Sequence, residues 1–282
     1  GVIYECLGRY EDALKYHEES LKIGRELNIP QDIALSLNNI GVVYRSIGRY
    51  EDALKYNEES LKIRKGLNVP QDIAQNLNNI GMVYCSFDRY EDALKYCEEA
   101  LKIYRGLNIL QDVATSLNNI GGVYRSLGRY EDALKYLEES LKIRKELNTQ
   151  QDIAESLNNI GMVYYSLGRY EDALKYHEES LKILRELNTP QDIAASLDNI
   201  GWVFTRLKDY TKAEDMFREA DKKEQTIDLK RNMNASMVEI YLATKRYDEA
   251  LRMLEKGIPS LSTTLGYQIQ YFTQRGRAFK GI

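Results

Sequence analysis

Apolar and polar positions along this chain recur with the period of an α-helix. Leu37, Ile40 and Tyr44 fall on one face, because successive helical residues turn by about 100°. Polar residues, among them Asn38 and Asn39, gather on the opposite face. The pattern predicts paired helices of about 17 residues joined by short turns, with no segment typical of a strand. We therefore predict an all-α fold.

The same pair of helices recurs every 40 residues. The phrase Ser-Leu-Asn-Asn-Ile-Gly begins at Ser36, Ser116 and Ser156, with close variants from Asn76 and Ser196. A second phrase, Gly-Arg-Tyr-Glu-Asp-Ala-Leu-Lys-Tyr, begins at Gly8, Gly48, Gly128 and Gly168, and with Asp88 in the copy between. Self-similarity at a fixed step of this length indicates a solenoid, in which each repeat packs against its neighbours.

We predict a single array over residues 1–282. Its repeats are a partial first copy at 1–28, near-identical copies at 29–68, 69–108, 109–148 and 149–188, divergent copies at 189–227 and 228–260, and a partial last copy at 261–282. The chain begins inside one predicted helix and stops before the second helix of the last copy. We therefore expect a piece of a longer protein.

Proline, glycine and asparagine mark the ends of the predicted helices. Pro30, Pro70 and Pro190 suit the first turn of the first helix, where a missing amide hydrogen is tolerated. The glycine that opens the second phrase can take the left-handed conformation that ends this helix. The second helix is predicted to end at Asn28, Asn68, Asn108, Asn148 and Asn188.

Composition narrows the class of partner. The chain has 43% hydrophobic and 29% charged residues and a net charge of -4. The absence of a basic excess argues against nucleic acid as the main partner. No apolar run approaches the roughly 20 residues that cross a bilayer, and the start lacks a secretion signal. We predict a cytoplasmic protein without membrane contact, whose three cysteines are free thiols.

The spacing around the repeat glycine carries a resemblance to a known family. We take Gly41 as that glycine. Before it come a large and an apolar residue, and after it an aromatic and two small residues: Leu37, Ile40, Tyr44, Ala53 and Ser60. This pattern resembles the tetratricopeptide repeat in its 40-residue variety. It is similar to arrays of animal spindle-orientation adaptors and of bacterial proteins that join such repeats to a caspase-like protease. The resemblance implies an α-solenoid, a right-handed superhelix of antiparallel helix pairs.

One position departs from the family. Where the second helix often has a large aromatic residue, this chain has His17, Asn57, Cys97, Leu137 and His177. The core is therefore not expected to pack uniformly from repeat to repeat. The resemblance is strong to about Leu207 and weaker afterwards.

The polar face of each first helix lines the concave groove of the superhelix in the family that this chain resembles. Two sets of equivalent residues occupy that face. The first series is Asn38, Asn78, Asn118, Asn158 and Asp198. The second series is Asn39, Asn79, Asn119, Asn159 and Asn199, the position that the resemblance associates with gripping a bound peptide. An asparagine both donates and accepts, which matches a peptide backbone. The alternative is that these asparagines join one repeat to the next.

Arginine and aromatic residues extend this candidate surface. Arg45, Arg125 and Arg206 project toward the same groove, which favours an extended partner segment of acidic or mixed charge. The alternative is that they are simply solvated. Trp202 follows a repeat glycine, and Tyr165 and Met162 lie one repeat earlier, which predicts a binding hot spot. The alternative is that Trp202 packs beneath the divergent repeats.

No arrangement of residues points to catalysis. His17 and His177 occupy the same repeat position 160 residues apart, so they cannot share a metal, and we predict them buried or half-buried. Cys85 is predicted to face the groove and Cys97 the core, and neither has a histidine partner. No phosphate-binding glycine loop is present. We predict no enzymatic activity and no cofactor.

The sequence therefore predicts a scaffold that binds a protein or peptide. Its first helices would hold an extended segment of the partner. Two alternatives stay open: a sensor or regulatory arm of a larger, protease-linked enzyme, and a module that self-associates through the ends of the array.

Overall fold

All regular structure in the described part of the chain is α-helical. The computed structural model describes residues 1–6, 8–223 and 227–256, and it has no strand within these ranges. The chain divides into two compact units, Gly1–Asn148 (unit 1) and Thr149–Ile282 (unit 2). The partial last copy predicted at 261–282 lies outside the described residues.

Long helices follow one another with joints of two to three residues through most of each unit. Unit 1 contains α1 (Val2–Cys6), α2 (Tyr10–Glu26), α3 (Pro30–Ser46), α4 (Tyr50–Leu67), α5 (Pro70–Ser86), α6 (Tyr90–Leu107), α7 (Leu110–Ser126) and α8 (Tyr130–Glu146). Unit 2 contains α9 (Gln150–Ser166), α10 (Tyr170–Leu187), α11 (Pro190–Arg206), α12 (Tyr210–Lys223), α13 (Ile227–Ala243) and α14 (Tyr247–Lys256). Within each unit every helix packs against the next. The assignment of these pairs to the repeat boundaries given above stays a prediction.

The helix ends agree with the sequence signals. Helices α3, α5 and α11 begin at Pro30, Pro70 and Pro190. Left-handed backbone follows the first helices at Gly48, Gly128 and Gly168, with φ of 77°, 73° and 73°. It follows the second helices at Asn28, Asn68, Asn108, Asn148 and Asn188, with φ from 53° to 56°. Asparagine tolerates this conformation better than most other residues, which explains its recurrence there.

The core of each repeat forms between its two helices. Leu37 and Ile40 of α3 and Ala53 of α4 are fully buried. The Ser60 hydroxyl of α4 donates to the Ala34 carbonyl of α3 at 2.7 Å, which satisfies a buried polar group at the helix crossing. The equivalent bonds join Ser140 to Ala114 at 2.7 Å and Ser180 to Ala154 at 2.8 Å. The small residues therefore let the two helices approach closely.

Residues at the family's aromatic position vary in type but occupy one place, against the repeat glycine. The residues there are His17, Asn57, Cys97, Leu137, His177 and Phe217, and all are buried. A Cβ on Gly201 would lie 2.7 Å from the Phe217 ring, and a Cβ on Gly81 would lie 2.5 Å from Cys97 Sγ. The location of the packing is thus uniform, contrary to expectation, because every repeat leaves the same gap beside its glycine.

Two neighbouring glycines of α7 give opposite predictions for alanine. A Cβ on Gly121 would lie 2.6 Å from Leu137 Cγ and 3.2 Å from the Ala133 carbonyl oxygen. Gly121→Ala should therefore lower the free energy of unfolding by about 1–3 kcal/mol. A Cβ on Gly122 meets nothing within 4 Å among the described residues. Gly122→Ala should raise it by about 0.5–1 kcal/mol, because alanine restricts the unfolded backbone. Urea unfolding measures both, and a stabilising Gly121→Ala would contradict this packing.

Helix pairs continue beyond Leu207, where the sequence diverges. Helix α12 packs against α11 and α13, and α13 packs against α14. Arg246, before α14, forms an ion pair with Glu214 of α12 at 2.6 Å and another with Glu249. Its guanidinium also lies over the Tyr241 ring, 4.5 Å from the centroid. These contacts hold the last described helices to the rest of unit 2.

Candidate functional site

In unit 1 the first series lies between neighbouring helices. Its members there, Asn38, Asn78 and Asn118, are all buried. Asn76 and Asn79 each donate to Asn38 Oδ1, at 3.2 and 2.8 Å, and Asn78 donates to the Ser116 hydroxyl at 2.7 Å. The sequence leaves two roles open for these residues, and the bonds in unit 1 are those of the alternative in which they join one repeat to the next. In this unit the first helices of successive repeats also pack against each other, α3 against α5 and α5 against α7.

In unit 2 the first series is half-buried and includes one charged residue. His177 Nδ1 of α10 bonds to Asn158 Oδ1 of α9 at 2.9 Å, and the Ser196 hydroxyl of α11 donates to the same oxygen at 3.3 Å. Asn158 therefore links three helices, in agreement with the alternative that the series joins repeats. Asp198 occupies the next place in the series. A contact between the first series and a peptide stays a prediction.

The second series is more accessible. All five asparagines, Asn39, Asn79, Asn119, Asn159 and Asn199, are half-buried. Asn79 is engaged with Asn38, and Asn159 also has an interaction within the chain. The amides of Asn39, Asn119 and Asn199 have no hydrogen-bond partner among the described residues. A half-buried amide of this kind offers a donor and an acceptor to whatever covers it.

Two asparagines of the second series face a polar pocket in unit 1. The pocket has a volume of about 310 Å³ and is lined by Gln71, Asp72, Gln75, Asn78, Asn79, Tyr104, Asp112, Thr115 and Asn119. Gln71 Nε2 donates to Asp112 Oδ2 at 3.3 Å across its edge. The lining thus combines amides with two carboxylates, so this part of the surface is not basic.

The predicted arginines occupy two different settings. In unit 1, Arg45, Cys85 and Arg125 follow one another on α3, α5 and α7, and all three are half-buried. Burial raises the pKa of the Cys85 thiol, and the nearby charges of Arg125 and Arg45 oppose this rise. Burial also lowers the pKa of Arg125. In unit 2, Arg206 is exposed, and its Nε donates to the Tyr165 hydroxyl at 2.9 Å.

Trp202 lines a second pocket, which we call the Trp202 pocket. It has a volume of about 320 Å³ and is lined by Met162, Tyr165, His177, Asp198, Asn199 and Trp202. The Trp202 ring is half-buried and meets Phe217 of α12 edge-on, with centroids 6.1 Å apart. Trp202 therefore packs on α12 and also lines a pocket beside Tyr165 and Met162, and its role as a binding hot spot stays a prediction.

Two polar atoms of this pocket have unmet hydrogen-bonding capacity. Asp198 Oδ1 and His177 Nε2 are buried and have no hydrogen-bond partner among the described residues. Burial raises the pKa of Asp198 to about 6, although a hydrogen bond from Trp202 opposes the rise. Burial lowers the pKa of His177 to about 4. The sequence predicts that His177 is in the core, but it does not predict that His177 also lines a pocket. The available signal for this pocket was Asp198, the one aspartate in a series of asparagines.

The comparison with protein families gives one match. The family model described as Tetratricopeptide repeat matches residues 1–66, 72–146 and 152–220. No curated protein sequence matches the chain significantly. None of the described helices has the length and apolar character that crossing a membrane requires.

Solved structures share this fold at low sequence identity. BtubC from P. vanneervenii is 24% identical over 76% of this chain and 90% of its own, with a TM-score of 0.64. A Rap protein complexed with Competence and Sporulation Factor is 17% identical over 97% of this chain and 74% of its own, with a TM-score of 0.72. The apo form of the quorum sensor NprR from B. thuringiensis is 19% identical over 99% of this chain and 80% of its own, with a TM-score of 0.71. At these identities the likeness concerns the fold alone.

Proposed function

Because this chain belongs to the tetratricopeptide repeat family, we propose that it is a non-catalytic scaffold whose first helices bind an extended segment of another protein. The second series would contact the backbone of that segment. The narrower resemblance to spindle-orientation adaptors and to protease-linked arrays stays a prediction.

The observation that carries the proposal is the set of unpaired amides in the second series. Asn39, Asn119 and Asn199 sit at one repeat position and have no hydrogen-bond partner among the described residues. An extended backbone alternates donors and acceptors, so amides repeated along successive helices can pair with it. One solved structure with this fold is a Rap protein complexed with Competence and Sporulation Factor, which is consistent with a bound partner here.

Side chains beside these amides would select the segment. Arg45 and Arg125 bring positive charge to unit 1, where Asp72 and Asp112 line the polar pocket. Such a mixture favours a partner segment that carries charges of both signs. In unit 2, the larger contacts of the proposed hot spot would come from Tyr165, Trp202 and Arg206.

The experiment removes amides that the fold does not use. Asn39→Ala and Asn119→Ala together should leave the melting temperature nearly unchanged and should weaken the binding of a captured partner roughly thirtyfold, since each of the two lost hydrogen bonds contributes about 1 kcal/mol. Partners are captured from lysate of the source cells with the full chain, identified, and titrated. The matched control is Glu58→Ala with Glu98→Ala, two exposed positions on α4 and α6. Equal affinity for both double variants would remove the second series as the binding surface.

Two further measurements separate the alternatives. Self-association predicts a mass by light scattering that rises with concentration. A regulatory arm of a protease predicts a His and Cys pair encoded in the same gene beyond Ile282.

A further inference from the structure

We infer that the Trp202 pocket binds a basic side chain of the partner segment, with its cationic group beside Asp198 and its alkyl stem against Trp202. The inference rests on the proposed function, because it assigns one side chain of the segment that the second series would hold. A pocket for a basic side chain is the opposite of the acidic segment that the arginines alone would favour at this part of the surface.

Two hydrogen-bond acceptors in the pocket have no donor among the described residues. The Asn158 Oδ1 atom can only accept, so the hydrogen bond at 2.9 Å places the His177 proton on Nδ1 and leaves a lone pair on Nε2. Asp198 Oδ1 is likewise an acceptor, and neither atom has a partner among the described residues. Buried acceptors without donors destabilise a site. A ligand that brings several N–H groups satisfies them.

The negative charge of Asp198 in the pocket favours a cationic ligand. Asp198 is ionised at neutral pH, and the group that stabilises its charge is the Trp202 indole rather than a basic residue. A buried carboxylate without a counter-ion is costly, and a cation that enters the pocket offsets that cost. Arg206 contacts Tyr165 of the pocket, but it is exposed and donates to the Tyr165 hydroxyl, where solvent screens its charge.

The aromatic lining suits the alkyl part of such a side chain. Trp202, Tyr165 and Met162 all line the pocket. The indole is held in place by its edge contact with Phe217 at 6.1 Å and by its hydrogen bond to Asp198. Lysine and arginine stems pack on apolar surface, and their cationic groups are attracted to aromatic faces. The pocket is therefore preorganised around its carboxylate.

None of the four near-identical repeats has the residues of this pocket at the equivalent positions. The position of Asp198 is asparagine at 38, 78, 118 and 158, and the position of Trp202 is Val42, Met82, Gly122 and Met162. The array is uniform along its amides, so a uniform backbone-binding surface leaves the register of a bound segment undefined. One pocket for a basic side chain, in α9 to α11, would fix that register.

Titration of the full chain with single amino-acid probes tests the inference. Trp202 is the only tryptophan, so its emission reports on this pocket. N-acetyl-lysine methylamide and N-acetyl-arginine methylamide, at constant ionic strength, should give saturable changes in emission. The neutral isosteres, the norleucine and citrulline amides, should bind at least about tenfold more weakly. Equal responses to charged and neutral probes would overturn the inference.

Asp198→Asn is the matched variant, because four other repeats fold with asparagine at this place. It should weaken the charged probes about tenfold and leave the neutral probes unchanged. In the parent, affinity for the charged probes should fall as pH drops through about 6, where Asp198 takes up a proton. The variant should lack this dependence. If Asp198→Asn left the affinity for the charged probes unchanged, the inference would be wrong.

Other groups that face Asp198 do not produce the same pH profile. His177 of α10 is neutral above a pKa of about 4. Tyr165 of α9 already accepts from Arg206 of α11, and Arg206, which is also close enough to Glu239 of α13 to feel its charge, stays cationic. A profile centred near pH 6 would thus belong to Asp198.

The test is separable from that of the proposed function. The Asn39 and Asn119 variant leaves the Trp202 pocket intact, since both residues are in unit 1. Loss of partner with that variant, combined with no response to the charged probes, would remove this inference only. Charged-probe binding combined with full partner capture by the variant would remove the role of the second series only.

Discussion

Phe217→Ala should lower the free energy of unfolding of unit 2 by about 3–5 kcal/mol, the largest effect that we expect from a single substitution. The Phe217 side chain is 1% exposed and fills the gap beside Gly201. It belongs to a core cluster that includes Leu197, Ile200 and residues of α13. Removing the ring opens a cavity at the junction of three helices, because the backbone cannot close over it completely.

Urea unfolding followed by Trp202 emission measures this effect. The indole meets the Phe217 ring directly, so its native emission should also shift in the variant. Phe217→Leu is the control, since Leu137 fills the same place against Gly121. It should destabilise by less than about 1.5 kcal/mol. If alanine proves no worse than leucine, the ring does not support the core in the way described.

The second prediction concerns pH, and two neighbouring groups contribute with opposite sign. The pKa of His177 falls from 6.5 to about 4 on burial. The unfolded chain therefore binds the proton more readily, so the contribution of His177 is fully present above pH 6.5 and is lost as pH falls toward 4. One pKa unit corresponds to about 1.4 kcal/mol, which gives a loss on the order of 3 kcal/mol.

Asp198 acts in the other direction. Burial raises its pKa from 3.8 to about 6, so the folded chain binds the proton more readily. Its favourable contribution is present below pH 3.8 and is lost as pH rises through about 6, again on the order of 3 kcal/mol. Between pH 4 and 6 the pH dependence from Asp198 and that from His177 nearly cancel in the parent. At neutral pH, where Asp198 is ionised, its carboxylate should destabilise unit 2.

Single variants should reveal each contribution. Asp198→Asn should be more stable than the parent at pH 7, and it should lose this advantage on acidification. His177→Leu, with the side chain found at position 137, should gain stability relative to the parent as pH falls from 6.5 to 4. Urea unfolding between pH 4 and 7.5 measures the differences, in which the titration of other carboxylates cancels. Parallel pH profiles for both variants and the parent would contradict the burial of these two groups.

The Asp198 result would also bear on the pocket. A stabilising Asp198→Asn variant means that the chain carries a charge that its fold does not need. Residues of this kind, costly to the fold and set in a pocket, are typical of binding sites. The stability measurement needs no ligand, so it supports or weakens the assignment independently of the probes.

The repeat, the helices and their ends could all be predicted from the amino-acid sequence. The prolines at the helix starts and the asparagines after the second helices are local signals, and the helix bounds and the φ values of these asparagines confirm them. The buried face of Leu37 and Ile40 also follows from the helical period alone. These features depend on backbone preferences and on a single helix, so the order of residues is sufficient to predict them.

Which polar residues are open to a partner depends instead on how the helices pack. Asn38 and Asn39 are adjacent on one predicted face, yet Asn38 is buried against the next repeat and Asn39 stays half-exposed without a partner among the described residues. The convergence of Asp198, His177 and Trp202 was equally hidden. The helical period gives a direction around one helix, whereas burial depends on how closely the next helix packs and on which side chains fill the space between them.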